Sequence, residues 1–379
     1  MAFAAGVESR NVAWQALLDW DKSNRHISDS ISASQIDSQE KAFATEIAMV
    51  VVRNKTLLEY NLKRWASKNP AREQKYILLM ALAQLWHLSS VPPHAIVSTA
   101  VDLAKTLNPK VGKFVNAVLR KAMEEKQIWP SGKSLKNVAI RYSHPGWMVQ
   151  KWMEELGFAK MVLRLRRNQE IPQAWLRVRL DKTSMHEVAH TFALQIEEQR
   201  FDRFIPFTGN VRDLLKHPYF LEGKVSIQEP SAGFLIQLLD LQDDSTVLDV
   251  CSAPGGKTAY IRENFPKVKV VSADFSPKRL QKLADHKNRL KLPVQSIAQD
   301  GKRPAFKKHS FSHILVDAPC SNLGVINRRP EARWHVTPKS MKINENQQKS
   351  TKNHKIQRKS AKINKNQWKS TKSTKINEN

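Results

Sequence analysis

The spacing of apolar residues changes along the chain, and its first part predicts helices. Residues 8–128 contain few glycines and no strand-like alternation, and an apolar block such as residues 76–86 is long enough for a buried helix. Residues 113–120 place their apolar side chains on one stripe, which is typical of a core-facing helix with a basic exposed side. We therefore expect an all-α domain over residues 1–135.

A mixed region follows the helices. A Pro-Ser-Gly sequence marks the boundary, and residues 141–223 combine helices with a short strand. Residues 175–180 alternate apolar and basic side chains, so we expect Arg177 and Arg179 on the solvent-facing side of a half-buried strand. That side is either a solvated sheet edge or a nucleic-acid contact. The pattern predicts a small α+β domain over residues 136–224.

From Lys224 onward, predicted strands alternate with helices, which is the pattern of a parallel α/β sheet. The expected elements are a strand at 247–250, a helix from about 257, a strand at 268–273, a helix at 277–290, and strands at 294–298 and 313–316. This order predicts a Rossmann-like domain over residues 225–336.

The sequence changes character again beyond Trp334. Residues 342–379 repeat Lys, Asn and Ser with nearly no apolar side chains, so we expect residues 337–379 to be a disordered, low-complexity basic tail. Two interpretations stay open: a basic RNA-binding tail, or unrelated coding sequence read after a truncation or frameshift.

A sheet that ends at its fourth strand leaves that strand unpaired on one side, and we expect instability or aggregation to follow.

Composition narrows the choice of partner and compartment. The chain has 62 Lys and Arg against 35 Asp and Glu, a net charge of +27 that indicates a polyanionic partner. Nucleic acid is the first candidate, and an anionic membrane surface is the second. With no window of about 18 consecutive apolar residues and no secretory pattern at its start, the chain is expected to be cytoplasmic and to stay out of membranes. Its two cysteines, Cys251 and Cys320, argue against a disulfide framework and a four-ligand zinc site.

Residues 246–258 carry the strongest chemical signal, an apolar strand that runs into a Gly-Gly turn and then a helix. Gly255 and Gly256 let the backbone approach a ligand at a helix N-terminus, where free N–H groups favour a carboxylate such as the methionine end of S-adenosylmethionine. The absence of a Gly-x-Gly-x-x-Gly motif disfavours NAD. Together with residues 313–320, this segment suggests methyl transfer from S-adenosylmethionine.

Acidic residues are expected at the ends of the other strands. Asp274 follows the second strand, where Rossmann-like folds place an acceptor for ribose hydroxyls. Asp300 closes the third strand, and Asp317 ends the fourth at the edge where open α/β sheets bind ligands. For Asp274 and Asp300 a second interpretation, as helix caps, stays open.

Several segments resemble the bacterial 16S ribosomal RNA (cytosine-5)-methyltransferases of the Sun/Fmu/RsmB type, over residues from about 8 to 335. The segments are 91–96 and 113–120 for its NusB-like domain, 144–147 and 175–178 for its middle RNA-recognition domain, and 226–232, 248–258, 317–321 and 324–330 for its catalytic domain. The resemblance implies a NusB-like all-α RNA-binding domain, a small α+β RNA-recognition domain and a Rossmann-like methyltransferase domain. The family pattern stops after the fourth-strand Asp-Ala-Pro-Cys motif, so the C-terminal strands are expected to be missing.

The resemblance also implies a function and a set of site residues. The function is transfer of a methyl group from S-adenosylmethionine to cytosine C5 in small-subunit ribosomal RNA, by a monomer without a metal. Asp300 is implied as an adenine contact, and Asp317 is implied to lie near the methyl donor and the target base. Basic residues of segment 141–179, with Arg328 and Arg329, are expected to grip RNA phosphates. The residues implied to bind the cofactor are Cys251, Ser252, Ala253, Pro254, Gly255, Gly256, Lys257, Asp274, Asp300 and Asp317.

Cytosine chemistry calls for a cysteine. C5 is a poor nucleophile, so a thiolate must first add at C6 before C5 can accept a methyl group. The family uses two cysteines, a nucleophile after the next strand and a second one that assists product release. Cys320 matches the second role, and no residue matches the first, because Cys251 belongs to the cofactor turn and no cysteine follows Cys320. Cys320 is therefore expected either in the release role or as a substitute nucleophile.

Two alternative functions stay open. The missing nucleophile favours a non-catalytic RNA-binding remnant that keeps the first two domains. A transcription-antitermination factor is suggested by the NusB-like part alone, and everything after Lys224 weakens it.

Overall fold

A computed structural model describes residues 6–23, 25–66, 69–89, 91–196, 202–303, 305–318 and 322–339. These residues form two compact units: one contains the described residues up to 169 together with residues 322–339, and the other contains the described residues between 170 and 318. The predicted boundaries at 135, 224 and 336 differ from this grouping, and the four-part division stays a prediction. The predicted tail falls almost wholly on residues 340–379, which lie outside the described part of the chain.

The first unit is helical, as predicted. Its helices are α1 (Val7–Ser23), α2 (Ile27–Ser32), α3 (Ser38–Leu62), α4 (Arg72–His87), α5 (Pro93–Leu107), α6 (Pro109–Glu124), α7 (Leu135–Arg141) and α8 (Gly146–Arg167). Side chains cap several helix starts: the Asp37 carboxylate accepts from the first-turn amides of α3, and the Asn108 side chain accepts from the Lys110 amide of α6. Both the block at 76–86 and the stripe of α6 face the core, which includes Trp65.

Helix α8 changes direction at Gly157, whose φ of 72° and ψ of 167° lie outside the helical range. Glycine tolerates this φ because it has no Cβ to clash with the neighbouring backbone. The two halves of α8 therefore run in different directions. The first half packs Met148, Val149 and Trp152 into a small core with α7, and Met161 and Leu165 of the second half pack into the same core.

The segment after residue 321 packs on this helical unit. A turn of 3-10 helix (Leu323–Val325) and a short helix (Ala332–His335) are its regular elements. Leu323 and Ile326 join the core of α7 and α8. The indole Nε1 of Trp334 donates to the carbonyl of Val52 on α3 at 2.9 Å. The helical unit is thus completed by a chain segment that lies far from it in sequence.

Arg333 anchors that segment, and its side chain is fully buried. Its guanidinium donates to the carbonyls of Ser143 (2.8 Å) and Asn168 (3.1 Å). Burial, with a smaller contribution from Arg53, lowers the pKa of Arg333 to about 9. No carboxylate among the described residues pairs with Arg333, so its terminal nitrogens depend on backbone carbonyls, and its Nε has no partner among those residues.

We expect Arg333→Ala to lower the free energy of unfolding by about 2–4 kcal/mol, because it leaves the buried Ser143 carbonyl without its donor, removes one of two arginine donors to the Asn168 carbonyl and opens a cavity. Urea unfolding followed by circular dichroism measures the change. Arg329→Ala is the matched control, since Arg329 lies four residues earlier on the exposed surface, and it should change stability by less than about 0.5 kcal/mol. Equal effects of the two substitutions would contradict the anchoring role.

His144 lies next to Arg333 and is buried. Its partners indicate a neutral ring that donates from Nδ1 to the Tyr142 carbonyl (2.6 Å) and accepts at Nε2 from the Asn168 amide (3.1 Å). Burial, followed by the charge of Arg333, holds the pKa of His144 well below 6.5. The folded chain therefore resists protonation at this position.

This shift predicts a pH dependence of stability. Below about pH 6.5 the unfolded chain binds a proton at His144 that the folded chain does not, so the free energy of unfolding falls as the pH falls, by up to about 1.4 kcal/mol per pH unit. His144→Gln should remove this part of the slope between pH 7 and pH 5. Urea midpoints across that range test the prediction, with the exposed His94→Gln as a control that keeps the wild-type slope. An unchanged slope in His144→Gln would refute it.

The second unit starts with a small antiparallel sheet of β1 (Ala174–Val178), β2 (Phe204–Phe207) and β3 (Val225–Ile227), in the order β2-β1-β3. Helices α9 (Met185–Thr191), α10 (Val211–Lys216) and α11 (Pro218–Leu221) belong to the same region. Only β1 was expected from the sequence. The other two strands have four and three residues, too few for a clear alternation.

Both predicted interpretations of Arg177 are wrong. β1 is the central strand of its sheet, and Arg177 is buried rather than solvent-facing. Its guanidinium forms a 2.8 Å ion pair with Glu263, which is also buried. Arg179 is largely covered and donates to the Leu290 carbonyl and the Asp181 carboxylate. The alternating pattern is present in the sequence, but other residues of the same unit, rather than solvent, cover the face that carries Arg177.

The parallel sheet follows the predicted order closely. Its strands are β4 (Thr246–Asp249), β5 (Lys269–Asp274), β6 (Gln295–Ala298) and β7 (His313–Leu315), with helices α12 (Pro230–Gln237), α13 (Gly256–Asn264) and α14 (Pro277–Leu290). The strand order is β6-β5-β4-β7, and all neighbours are parallel. Among the described residues no strand pairs with the outer edge of β7, where Ile314 and Val316 are about half exposed.

Candidate functional site

The strand order places the candidate site at one edge of the parallel sheet. After β4 the chain crosses to β5 on one side and later returns to β7 on the other, so the sheet reverses its direction of growth at β4. Open α/β sheets bind ligands beside the carboxyl ends of strands at such a reversal. The Gly-Gly turn follows β4, Asp274 ends β5, and Asp317 follows β7.

The turn after β4 is held by hydrogen bonds to the next strand. Both the amide and the hydroxyl of Ser252 donate to the carbonyl of Ala273, and the Gly255 amide donates to the Ser252 carbonyl at 2.7 Å. Gly255 has a φ of 101°, a left-handed conformation that favours glycine. A Cβ there would also come within 3.2 Å of Leu283. Helix α13 then begins without a side-chain cap, so its first amides face the site as open donors.

Asp249, which was not among the predicted site residues, lies buried beneath the turn. Its Oδ2 accepts from the Thr258 hydroxyl at 2.8 Å, whereas Oδ1 has no hydrogen-bond partner among the described residues. Burial raises the pKa of Asp249 to about 6. The signal for it was present in the sequence, because it is the acidic residue that closes the strand before the glycines.

Asp274 lies where it was predicted, and protein groups already occupy its carboxylate. The Ser276 amide donates to Oδ1, the Ala253 amide donates to Oδ2, and the Arg279 guanidinium lies 3.2 Å from Oδ2. Arg279 also donates to the Ala253 carbonyl at 2.7 Å. Asp274 thus ties the cofactor turn to α14, and a ribose contact requires Arg279 to release the carboxylate. Sequence reasoning missed Arg279.

Two further predicted residues are brought together across the strand edge. The Lys257 ammonium, in the first turn of α13, forms a 2.5 Å ion pair with the Asp317 carboxylate after β7. Asp300 follows β6, as predicted, and its side chain accepts from the Lys302 amide in its own turn. No helix among the described residues begins there, so the helix-cap interpretation of Asp300 is wrong.

The structure describes only one of the two cysteines, Cys251. Cys251 is a partly buried free thiol, and burial raises its pKa, with Asp274 and Asp249 adding to the shift. A raised pKa keeps it as a thiol, which matches a packing role better than a nucleophilic one. Cys320 lies outside the described residues, together with Pro319 and Ser321.

The donors and acceptors at this edge fit S-adenosylmethionine. The cofactor carries an ammonium and a carboxylate at its methionine end. The unpartnered Oδ1 of Asp249 is an acceptor that suits the ammonium, and the uncapped amides of α13 suit the carboxylate. A cation beside Asp249 would also oppose the effect of burial on its pKa, because an opposite charge favours the ionised carboxylate.

The same residues offer little to a metal ion. Among the described residues no group of three or more His, Cys, Asp or Glu side chains is arranged to hold one. No helix in the described part of the chain is long and apolar enough to cross a membrane.

Known proteins resemble both ends of the chain. A family model described as 16S rRNA methyltransferase RsmB/F matches residues 236–379, and one described as the NusB family matches residues 7–124. The probable ribosomal RNA small subunit methyltransferase B of Bacillus subtilis (strain 168) is 30% identical over 347 residues, which cover 87% of this chain and 77% of that protein. The chain belongs to the ribosomal RNA small subunit methyltransferase B family.

Other comparisons agree with this family. The ribosomal RNA small subunit methyltransferase B of Serratia proteamaculans (strain 568) is 31% identical over 311 residues, covering 79% of this chain and 71% of that protein. The crystal structure of PH0851 shares the fold, with a TM-score of 0.68 at 20% identity over 91% of this chain and 81% of that one. The resemblance found in the sequence is confirmed: this family member has a NusB-like all-helical N-terminal domain and a methyltransferase domain with a parallel sheet.

In this methyltransferase-family chain, Arg177 supports the helix that follows the cofactor turn. Besides its ion pair with Glu263, Arg177 donates to the Gly256 carbonyl at 3.0 Å and to the Gln228 side chain. Gly256 and Glu263 lie in the first and last turns of α13. One buried guanidinium therefore contacts both ends of the helix.

We expect Arg177→Met to lower the free energy of unfolding by about 3–5 kcal/mol, because Glu263 then stays buried without its cation. The double variant Arg177→Met/Glu263→Leu should recover part of that loss, since it removes the uncompensated charge as well. A double-mutant cycle by urea unfolding measures the coupling. Strictly additive losses would show that the two side chains do not stabilise one another.

Proposed function

We propose that this chain methylates cytosine C5 in small-subunit ribosomal RNA, with S-adenosylmethionine as the methyl donor. The observation that carries the proposal is the convergence at the reversal of the sheet. The uncapped N-terminus of α13, the unpartnered Oδ1 of Asp249 and the Lys257–Asp317 ion pair all belong to elements that meet at this one edge. Family membership supplies the reaction class and the ribosomal RNA.

In this proposal, different residues bind different parts of S-adenosylmethionine. The backbone of residues 251–257 and the uncapped amides of α13 hold the methionine carboxylate, and Asp249 holds the ammonium. Asp274 and Asp300 are proposed for the ribose and adenine; for Asp274 this requires the Arg279 contact to open. When bound, S-adenosylmethionine supplies an electrophilic methyl group. Lys257 holds Asp317 at the strand edge, beside the motif that contains Cys320.

Cys320 is the thiol proposed to face the cytosine. The sequence contains only one other cysteine, and the raised pKa of Cys251 disfavours a thiolate there. The same observation favours a second candidate function, RNA binding without turnover, because the family pattern pairs the Pro-Cys thiol with a separate nucleophile that this sequence does not match. The two functions differ in whether Cys320 alone sustains the reaction.

Methyl incorporation from labelled S-adenosylmethionine into unmethylated small-subunit ribosomal RNA tests the proposal. We expect labelled 5-methylcytidine after nuclease digestion of the product. In Cys320→Ala, loss of label without a covalent protein–RNA adduct on a denaturing gel would indicate the nucleophile. Accumulation of an adduct would indicate the release role.

Each negative result has a separate meaning. RNA binding without incorporation would reject the methylation proposal and favour the binding function. Label in a nucleoside other than 5-methylcytidine would keep the family chemistry and reject the C5 assignment. A chain that neither binds the RNA nor transfers label would reject both functions.

A further inference from the structure

The second half of α8 carries a row of cations on one face. Lys160, Arg164 and Arg167 lie at positions i, i+4 and i+7, which a helix places above one another. The kink at Gly157 sets the direction of this half independently of the first. Lys160 and Arg167 are exposed, and none of the three has an ion-pair partner among the described residues. Like charges at this spacing destabilise a helix unless a counter-charge is supplied.

These cations line a cleft that lies wholly within the helical unit. Its other side is formed by the turn after residue 321, with Leu323, Gly324 and Asn327, and its volume is about 410 Å³. None of the described residues that line it is acidic. A cavity of this size bounded by three cations, with Asn168 and Asn327 also on its lining, suits a small anionic group with several acceptor oxygens.

The two sides of the cleft are fixed to one another by buried or partly buried arginines. Arg53 donates to the Asn168 carbonyl at the end of α8 (3.3 Å) and to the Asn327 carbonyl in the turn (2.8 Å). Arg333 donates to the same Asn168 carbonyl. In addition, the Arg164 guanidinium lies over the Trp152 ring, 4.4 Å from its centroid, which restricts its plane. The backbone on both sides of the cleft and the Arg164 guanidinium are thus held in place before any ligand arrives.

A simpler explanation covers only part of this arrangement. Arg164 and Arg167 lie in the last turn of α8, where cations stabilise the negative end of the helix dipole. Lys160 lies outside that turn and gains nothing from it. The dipole also gives no reason for the cations to face a cleft with fixed sides.

We propose that this cleft binds backbone phosphates of the RNA substrate, so that Lys160, Arg164 and Arg167 neutralise adjacent phosphate groups. The inference rests on the proposed function for the identity of the polyanion. It adds a specific docking site on the helical unit, separate from the turn and strand edge where methyl transfer is proposed.

The test compares two double variants of the full chain. Lys160→Gln/Arg167→Gln removes two cleft charges, whereas Lys22→Gln/Lys105→Gln removes two exposed charges elsewhere on the same unit. Binding to unmethylated small-subunit ribosomal RNA is measured by filter binding over a range of salt. The cleft variant should bind on the order of tenfold more weakly at about 0.15 M salt, and its slope of log K against log salt should fall by about 1.4 to 1.8. The control should stay close to wild type.

A second pair of variants adds charge instead of removing it. A Cβ at Gly324 meets nothing within 4 Å, so the cleft has room for a side chain there. Gly324→Glu places a carboxylate beside the cations, and Gly324→Gln is its neutral match in size. Weaker RNA binding by Gly324→Glu than by Gly324→Gln supports the proposal, because only charge distinguishes the two variants.

The outcomes separate this inference from the proposed function. If wild type binds the RNA and the cleft variant loses no more affinity than the control, the cleft assignment is wrong and the proposed function stands. If wild type does not bind the RNA, both fail. If the cleft variant instead loses binding to anionic phosphatidylglycerol vesicles while RNA binding is unchanged, the cleft serves a membrane surface and the RNA assignment is overturned.

Discussion

The geometry of the candidate cofactor site depends on one buried guanidinium. Arg177 sits on the central strand of the antiparallel sheet and bonds to both ends of α13, the helix whose N-terminus faces the site. Taking an arginine and a glutamate out of water is expensive, and apolar side chains of similar size often give equal stability. The contribution of the pair is orientation, because its hydrogen bonds fix how α13 lies against the neighbouring sheet. The direction in which the uncapped amides at the start of α13 point therefore depends on this pair.

Charge balance at the strand edge is uneven. Arg279 neutralises Asp274, and Lys257 neutralises Asp317, but Asp249 has only the Thr258 hydroxyl. Its pKa of about 6 reflects the cost of ionising a buried carboxyl, which the Thr258 hydrogen bond and the charge of Lys257 offset only in part. An edge with one uncompensated acid beside uncapped amides is complementary to a zwitterion.

The sequence predicted the parallel sheet well because most of its strands contain a short apolar run between turn residues, and every predicted strand overlaps an observed one. The family resemblance implied both Lys257 and Asp317 as cofactor-binding residues; the structure pairs their charges, and their role in cofactor binding stays a prediction. Arg177 was misjudged because an alternating pattern shows that a side chain leaves the sheet, and not whether solvent or protein lies there. Arg333 was missed because a four-residue helix gives no periodicity.

The dependence of the helical unit on residues 322–336 has a consequence for the order of synthesis. A ribosome makes α1 to α8 first, and the segment that fills the pocket around His144 emerges only after about 150 further residues of the other unit, 170–320. The N-terminal helices can form early, but the buried carbonyl of Ser143 lacks its arginine donor until Arg333 has been synthesised. The first unit can therefore be completed only after residues 170–320 have been synthesised. Until then, the nascent chain exposes this pocket.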